Sequence, residues 1–162
     1  MKKEVLIDFD KVMLRIHSEV ILIFEKYKQE GINKKESGGV LSGFYLDDYS
    51  YRITDASEPS KLDKSSKFSF NRAKESAQEF INNLFKKSKG KKIYLGEWHT
   101  HPEDIPTPSY IDIKSIKQQI RTVNLNTTKI FLIIIGRKKS YVGLYNDNGK
   151  LMANRKIVWK VK

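Results

Sequence analysis

The chain has 162 residues, no cysteine and a formal charge of +12, so it fits one ordinary domain of roughly 100 to 150 residues or slightly more and excludes a disulfide framework or a Cys-based zinc finger. The charge favours acidic partners without choosing among nucleic acid, anionic lipid and acidic proteins. The longest apolar run, 130–135, is of strand length and far short of the about 18 to 20 residues of a membrane helix, and the charged start Met1-Lys2-Lys3-Glu4 leads into no signal-peptide pattern.

The expectation is therefore a single cytoplasmic domain over 1–162 with no membrane partner. Val5, Ile7 and Phe9 alternate with charged residues, which predicts a short strand. Asp10 then reads as the N-cap of a helix carrying Met13, Ile16, Val20, Ile23, Phe24 and Tyr27 at steps of three and four, with Gly31 as its stop. On that helix His17 falls on the apolar side and reads as a satisfied, half-buried residue. Segments 36–47 and 49–54 are β-branched, aromatic and small, and Asp47-Asp48 between them predicts a hairpin. Residues 55–66 read as an exposed polar loop around Pro59, and Phe68 with Phe70 as a third strand.

Ala77, Phe80, Ile81, Leu84 and Phe85 share one face of a helix over 73–87, which Gly90 ends. A strand over 92–101 follows, and then a loop broken by Pro102, Pro106 and Pro108, none of which suits a helix interior. Ser109 restarts a helix with Ile113, Ile116, Ile120 and Val123 toward a core. Strands over 128–135, 140–146 and 150–161 close the chain, the last two joined by Asn146-Asp147-Asn148-Gly149, a strong turn signal. The sum is an α+β fold with a largely antiparallel sheet flanked by helices. The lysines at 86–92 and the basic run 137–139 lie at element ends and read as solvated surface.

Chemistry concentrates at Glu97-Trp98-His99-Thr100-His101-Pro102. Strand side chains alternate, so His99 and His101 face one way, and Trp98 faces the core on the other. Two neutral imidazoles on one face are half of a zinc site. Ser109 and Asp112 fit a capping box, yet the proline loop can turn that helix start back beside the strand end and deliver the Asp112 carboxylate to both imidazoles. Three nitrogen and oxygen ligands leave one tetrahedral position for water, the pattern of catalytic zinc.

His99-x-His101, seven residues, Ser109, two residues and Asp112 resembles the JAMM motif of the MPN-domain metalloproteases. Glu36-Ser37-Gly38-Gly39-Val40-Leu41-Ser42-Gly43 resembles the family's upstream glutamate and glycine-rich run. The resemblance implies the MPN/JAB, cytidine-deaminase-like architecture. It implies one zinc ion per chain on His99, His101 and Asp112, with Glu36 as general base and then general acid, and Ser109 as a donor to the oxyanion. Spacing alone leaves Glu97 and Glu103 as rival bases; the resemblance selects Glu36.

Within that family the run 96–102 with Pro106, Pro108 and Ser109 resembles the bacterial Prok-JAB branch, which includes isopeptidases of CBASS antiviral systems. That similarity implies cleavage after the flexible C-terminal tail of a folded protein, either a ubiquitin-like protein or a conjugated cyclase, with loop 55–66 and the lysine-rich surface touching the folded body. Processing of a ubiquitin-like or sulfur-carrier protein, or a catalytically silent MPN binding module, are the alternatives. Nucleic acid is not an expected partner, because no aromatic residues interleave 86–92 as a stacking platform would need.

Overall fold

The computed structural model describes residues 3–31, 34–60, 63–65, 70–71, 73–122 and 125–160. Eight strands form one sheet in the order β1-β2-β4-β3-β7-β8-β9-β10. These are β1 (Glu4–Asp8), β2 (Met13–His17), β3 (Gly38–Asp47), β4 (Ser50–Ala56), β7 (Lys92–Thr100), β8 (Lys129–Ile135), β9 (Ser140–Asn146) and β10 (Leu151–Ile157). Two short strands, β5 (Lys64–Ser65) and β6 (Phe70–Asn71), pair with each other apart from that sheet. Neighbouring strands of the large sheet run antiparallel except for β2 with β4 and β7 with β8. A parallel pair needs a long crossover, and between β7 and β8 that crossover is helix α3 (Tyr110–Thr122).

Each face of the sheet carries its own core. On one face Leu14, Ile16, Leu41, Ile53, Leu95, Trp98, Phe131 and Ile133 pack under Val20, Ile21 and Phe24 of helix α1 (Ser18–Tyr27). On the other, Val40, Ile130, Leu132, Ile134, Tyr141 and Tyr145 meet Ala77 of helix α2 (Lys74–Lys87) and Ile116 of α3. The six apolar residues Ile130 to Ile135 are all buried because β8 lies between β7 and β9 with a core on both sides, as a continuous apolar strand requires.

The amino-terminal helix is shorter than its apolar spacing predicts. Residues 13–17 form β2, and α1 runs only from Ser18 to Tyr27, ending before Gly31. Val12, Leu14 and Ile16 are buried while Met13, Arg15 and His17 are half-buried, an alternation of period two that competes with steps of three and four and wins because β1 pairs along it. Asp10 is no N-cap: it takes φ 72° in the β1–β2 turn, its amide donating to Asp8 Oδ1 at 2.7 Å. His17 ends β2, its Nε2 lying 3.4 Å from Glu4 Oε2.

Elsewhere the differences are small. The 55–66 loop begins later than expected, since Asp55 and Ala56 complete β4. The strand expected at Phe68 and Phe70 is the short β6 outside the main sheet, with Phe68 outside the described residues. Val123 and Val161 also lie outside them, and β10 ends at Ile157. Among the described residues, no helix is long and apolar enough to cross a membrane.

Candidate metal centre and active site

A bulge in β7 sets which side chains share a face. β3 pairs Leu41 with Gly96 and Ser42 with Tyr94, skipping Leu95, and Gly96 adopts φ +142°. A Cβ there would lie 1.8 Å from the Phe131 carbonyl oxygen, so only glycine lets β7 and β8 approach at the bulge. The alternation restarts beyond it. Leu95 and Trp98 join the α1-side core, with Trp98 Nε1 donating to the Ser57 carbonyl at 3.0 Å, and His99 is left on the α3 side.

Residues 102–108 then fold back along the β8–β9 turn. The Arg137 amide donates to the Glu103 carbonyl at 2.8 Å, and the amides of Lys138 and Lys139 both donate to Asp104 at 2.9 Å. Lys156 Nζ donates to the Pro106 carbonyl. Pro106 sits so close to Gly136 that a Cβ on Gly136 would come within 2.3 Å of its Cδ. These anchors return the start of α3 to the end of β7.

There Ser109 and Asp112 form a reciprocal cap, Ser109 N donating to Asp112 Oδ2 at 2.8 Å and Asp112 N donating to Ser109 Oγ at 3.1 Å. The same carboxylate faces both imidazoles: Oδ1 is 3.0 Å from His99 Nε2 and Oδ2 is 3.2 Å from His101 Nε2. Candidate ligand atoms of His99, His101 and Asp112 lie within 4.8 Å of one another. Capping and carboxylate delivery, which look like competing readings of Asp112 in the sequence, are performed together.

The donor set fits a divalent metal. His99 Nε2 is buried and has no hydrogen bond of good geometry among the described residues, although Asp112 Oδ1 is near. Such an orphaned nitrogen is costly unless something else engages it. His101 Nδ1 lies 3.1 Å from Glu103 Oε1, a contact that favours a proton on Nδ1 and leaves the Nε2 lone pair free, as carboxylate partners of metal-binding histidines do. Two imidazole nitrogens and one carboxylate, with no thiolate, suit zinc with an open position.

Electrostatics separate the two buried acids. Burial would raise the Asp112 carboxyl, but the His101 and His99 imidazoles beside it and the hydrogen bond from the Ser109 amide hold it far below the usual range. Glu36, 6% exposed, shifts the other way: burial first, then the charges of Asp112 and Glu103, lift it to about 7 against the opposing pull of His101. His101 is raised on balance, Asp112, Glu36 and Glu103 outweighing the burial that lowers it. An acid lifted toward neutral can both accept and release a proton at physiological pH.

The two rival acids have other partners. Glu97 accepts a hydrogen bond from Tyr94, a pairing the bulge creates by placing residues three apart on one face, and Glu103 orients His101. Gln29 and Thr100, both fully buried, also reach this region. Nothing in the sequence marks Gln29, and Thr100 stands there only as the spacer between two histidines.

Residues 23–146 match the family model described as prokaryotic homologs of the JAB domain. A CD-NTase/cGAS isopeptidase of Escherichia coli is 40% identical over 146 residues, covering 89% of this chain and 90% of that protein. Proteins of the same name from Vibrio cholerae and Pseudomonas aeruginosa are 33% and 27% identical, covering 84% of the chain and 84% of the protein in the first case and 88% and 89% in the second. The solution structure of a Desulfitobacterium hafniense protein superposes with a TM-score of 0.54 at 16% identity, covering 87% of this chain and 86% of that one, which bears on the fold alone. With the family model matched over most of its length, the chain belongs to the prokaryotic JAB-domain family.

Proposed function

We propose that the protein is a JAMM-type zinc isopeptidase that releases a CD-NTase, or a similarly tailed protein, by cutting after its flexible C-terminal tail. The observation that carries this reading is the convergence of His99, His101 and Asp112 beside the buried acid Glu36. The names of the relatives support the substrate class. Delivery of the third ligand by a helix that crosses between two parallel strands supports a cytidine-deaminase-like arrangement.

His99, His101 and Asp112 would hold the metal. A bound zinc ion would act as a Lewis acid and lower the pKa of a water from about 15.7 toward about 7. Glu36, a buried acid beside the imidazoles, takes a proton from the attacking water and returns it to the departing amine. Ser109 Oγ already accepts from the Asp112 amide, so its hydroxyl hydrogen is available to the oxyanion. Glu103 keeps the His101 ring in the tautomer that presents Nε2. Loop 55–66 and the lysine-rich surface are the proposed contacts for the folded body of the substrate, with the tail lying near Glu36 and His101.

The test uses a CD-NTase joined through its C-terminal carboxylate to a lysine or to a fused protein, with products read by mass spectrometry. One cut directly after the tail is expected, abolished by a zinc chelator and unaffected by thiol alkylation. Glu36→Ala should keep stoichiometric zinc and lose turnover, whereas Glu97→Ala should retain substantial activity. Cleavage that persists in Glu36→Ala, or that occurs only inside unfolded proteins, sinks the proposal.

A further inference from the structure

Glu36 belongs to no strand, since it lies two residues ahead of β3, and a proton-transfer group on a slack segment would be poorly placed. The short arc that carries it is tied down on both sides. Behind Glu36, Gln29 Nε2 donates to the Lys34 carbonyl at 2.9 Å. Ahead of it, the Ser37 amide donates to Thr100 Oγ1 at 3.0 Å, and the Thr100 amide donates to the Ser37 carbonyl at 2.9 Å. Thr100 Oγ1 then donates to Gln29 Oε1 at 2.9 Å, so the two anchors join in a single ring of bonds around Glu36.

The donor and acceptor pattern in that ring is self-consistent. The Thr100 hydroxyl accepts from an amide and gives its one hydrogen to the Gln29 oxygen, while the Gln29 amide nitrogen serves the Lys34 carbonyl. Gln29 and Thr100 are both 0% exposed, a location where polar groups are tolerated only when hydrogen-bonded. The ring also reaches the metal-ligand loop: Arg137 Nε donates to the Gln29 carbonyl at 3.1 Å and the Arg137 amide to the Glu103 carbonyl at 2.8 Å. Thr100 projects from β7 away from His99 and His101, so its side chain reaches Glu36 only through the backbone.

We infer that Gln29 and Thr100 are positioning residues, a buried clamp that holds the Glu36 carboxylate in register with His99, His101 and Asp112. The inference rests on the reading of Glu36 as the proton-transfer group. Misplacement of a reacting group by about 1 Å can cost on the order of 100-fold in rate, so loosening the arc should act on turnover more than on binding.

The experiment compares Thr100→Val, Thr100→Ser, Gln29→Met and Glu36→Gln in the zinc-loaded protein, using the CD-NTase tail conjugate. Thr100→Val and Gln29→Met should each lower kcat by about 10- to 100-fold, with KM and zinc stoichiometry unchanged and faster hydrogen exchange at the Ser37 amide. Thr100→Ser, which keeps the hydroxyl, should restore kcat to within about threefold of the parent. Gln29→Met carries the same test alone if Thr100→Val does not fold. The clamp is overturned if both variants keep kcat within about twofold, if their losses track lost zinc, or if serine fails to rescue. Glu36→Gln separates the two levels: if that variant still turns over, the reading of Glu36 fails, whereas an inactive Glu36→Gln beside fully active clamp variants overturns only the clamp.

Discussion

The sheet contains two parallel strand pairs, and the chain leaves the first strand of each in a different way. After β7 it runs through a loop with three prolines before α3 begins; after β2, α1 starts at Ser18, the residue next to His17. Both exits have a histidine at the strand end and a carboxylate nearby. At β2 the carboxylate is Glu4 of the adjacent strand, 3.4 Å from His17 Nε2, and the Arg52 guanidinium takes the same oxygen at 2.7 Å. At β7 two imidazoles meet one carboxylate delivered by a helix start, with no arginine on that carboxylate among the described residues. The ingredients are alike and their arrangement differs: at β2 an arginine engages the carboxylate, and at β7 the longer connection sets a helix-borne carboxylate against two imidazoles.

The largest test of that contrast is metal binding. His99→Ala, His101→Ala and Asp112→Ala should each lose zinc and at least about 1,000-fold in activity, while His17→Ala keeps one zinc per chain by elemental analysis. Zinc retained by the first three, or lost by the fourth, breaks the comparison.

Next in size is Ser109→Ala. It should lower kcat by about 100- to 1,000-fold through loss of the oxyanion donor and cost about 1 kcal/mol through loss of the cap, read from kinetics and denaturant unfolding. His17, the N-cap of α1, makes no side-chain cap hydrogen bond, so His17→Ala removes no such contribution from the other crossover. Equal destabilisation of both helices would blur the distinction.

The smallest effect concerns stability without metal. The Glu36 carboxyl titrates near 7 in the folded chain against an ordinary 4.5, so between those pH values the folded chain holds a proton that the unfolded chain releases. Stability therefore falls as pH rises through that window, and the deficit is complete above it. Glu36→Gln should stabilise the metal-free protein at pH 8 by up to about 3 kcal/mol, and by nearly nothing at pH 4. A gain independent of pH would place its origin in packing.

Much of the site was legible because its chemistry is local in sequence. His99 and His101 share a face by alternation, and Ser109 with Asp112 carries a capping pattern whose carboxylate also reaches both imidazoles, so the segment from β7 to α3 needed little tertiary knowledge. The β1–β2 hairpin was not legible in the same way. Met13, Ile16 and Val20 keep a helical spacing across a strand-to-helix junction, and only the pairing of Leu14 with Ile7 and Arg15 with Leu6 decides the matter. The clamp residues were further out of reach: Gln29 and Thr100 are 71 positions apart, and neither has a chemistry that announces a role. The β7 bulge at Gly96 was equally silent, since a glycine within a strand is compatible with several causes.

With one carboxylate serving the helix cap and the proposed ligand set, metal affinity would depend on how tightly a helix is wound. Whenever the first turn of α3 frays, Asp112 leaves the imidazoles, so the apparent affinity is the intrinsic one scaled by the fraction of molecules with that turn intact. By reciprocity, an ion bound there draws the ensemble toward the wound state and slows fraying. Tyr110 and Ile111 stand in that turn at 79% and 73% exposure. Only a contact that binds those side chains better in the wound turn than in the frayed one would raise the bound fraction.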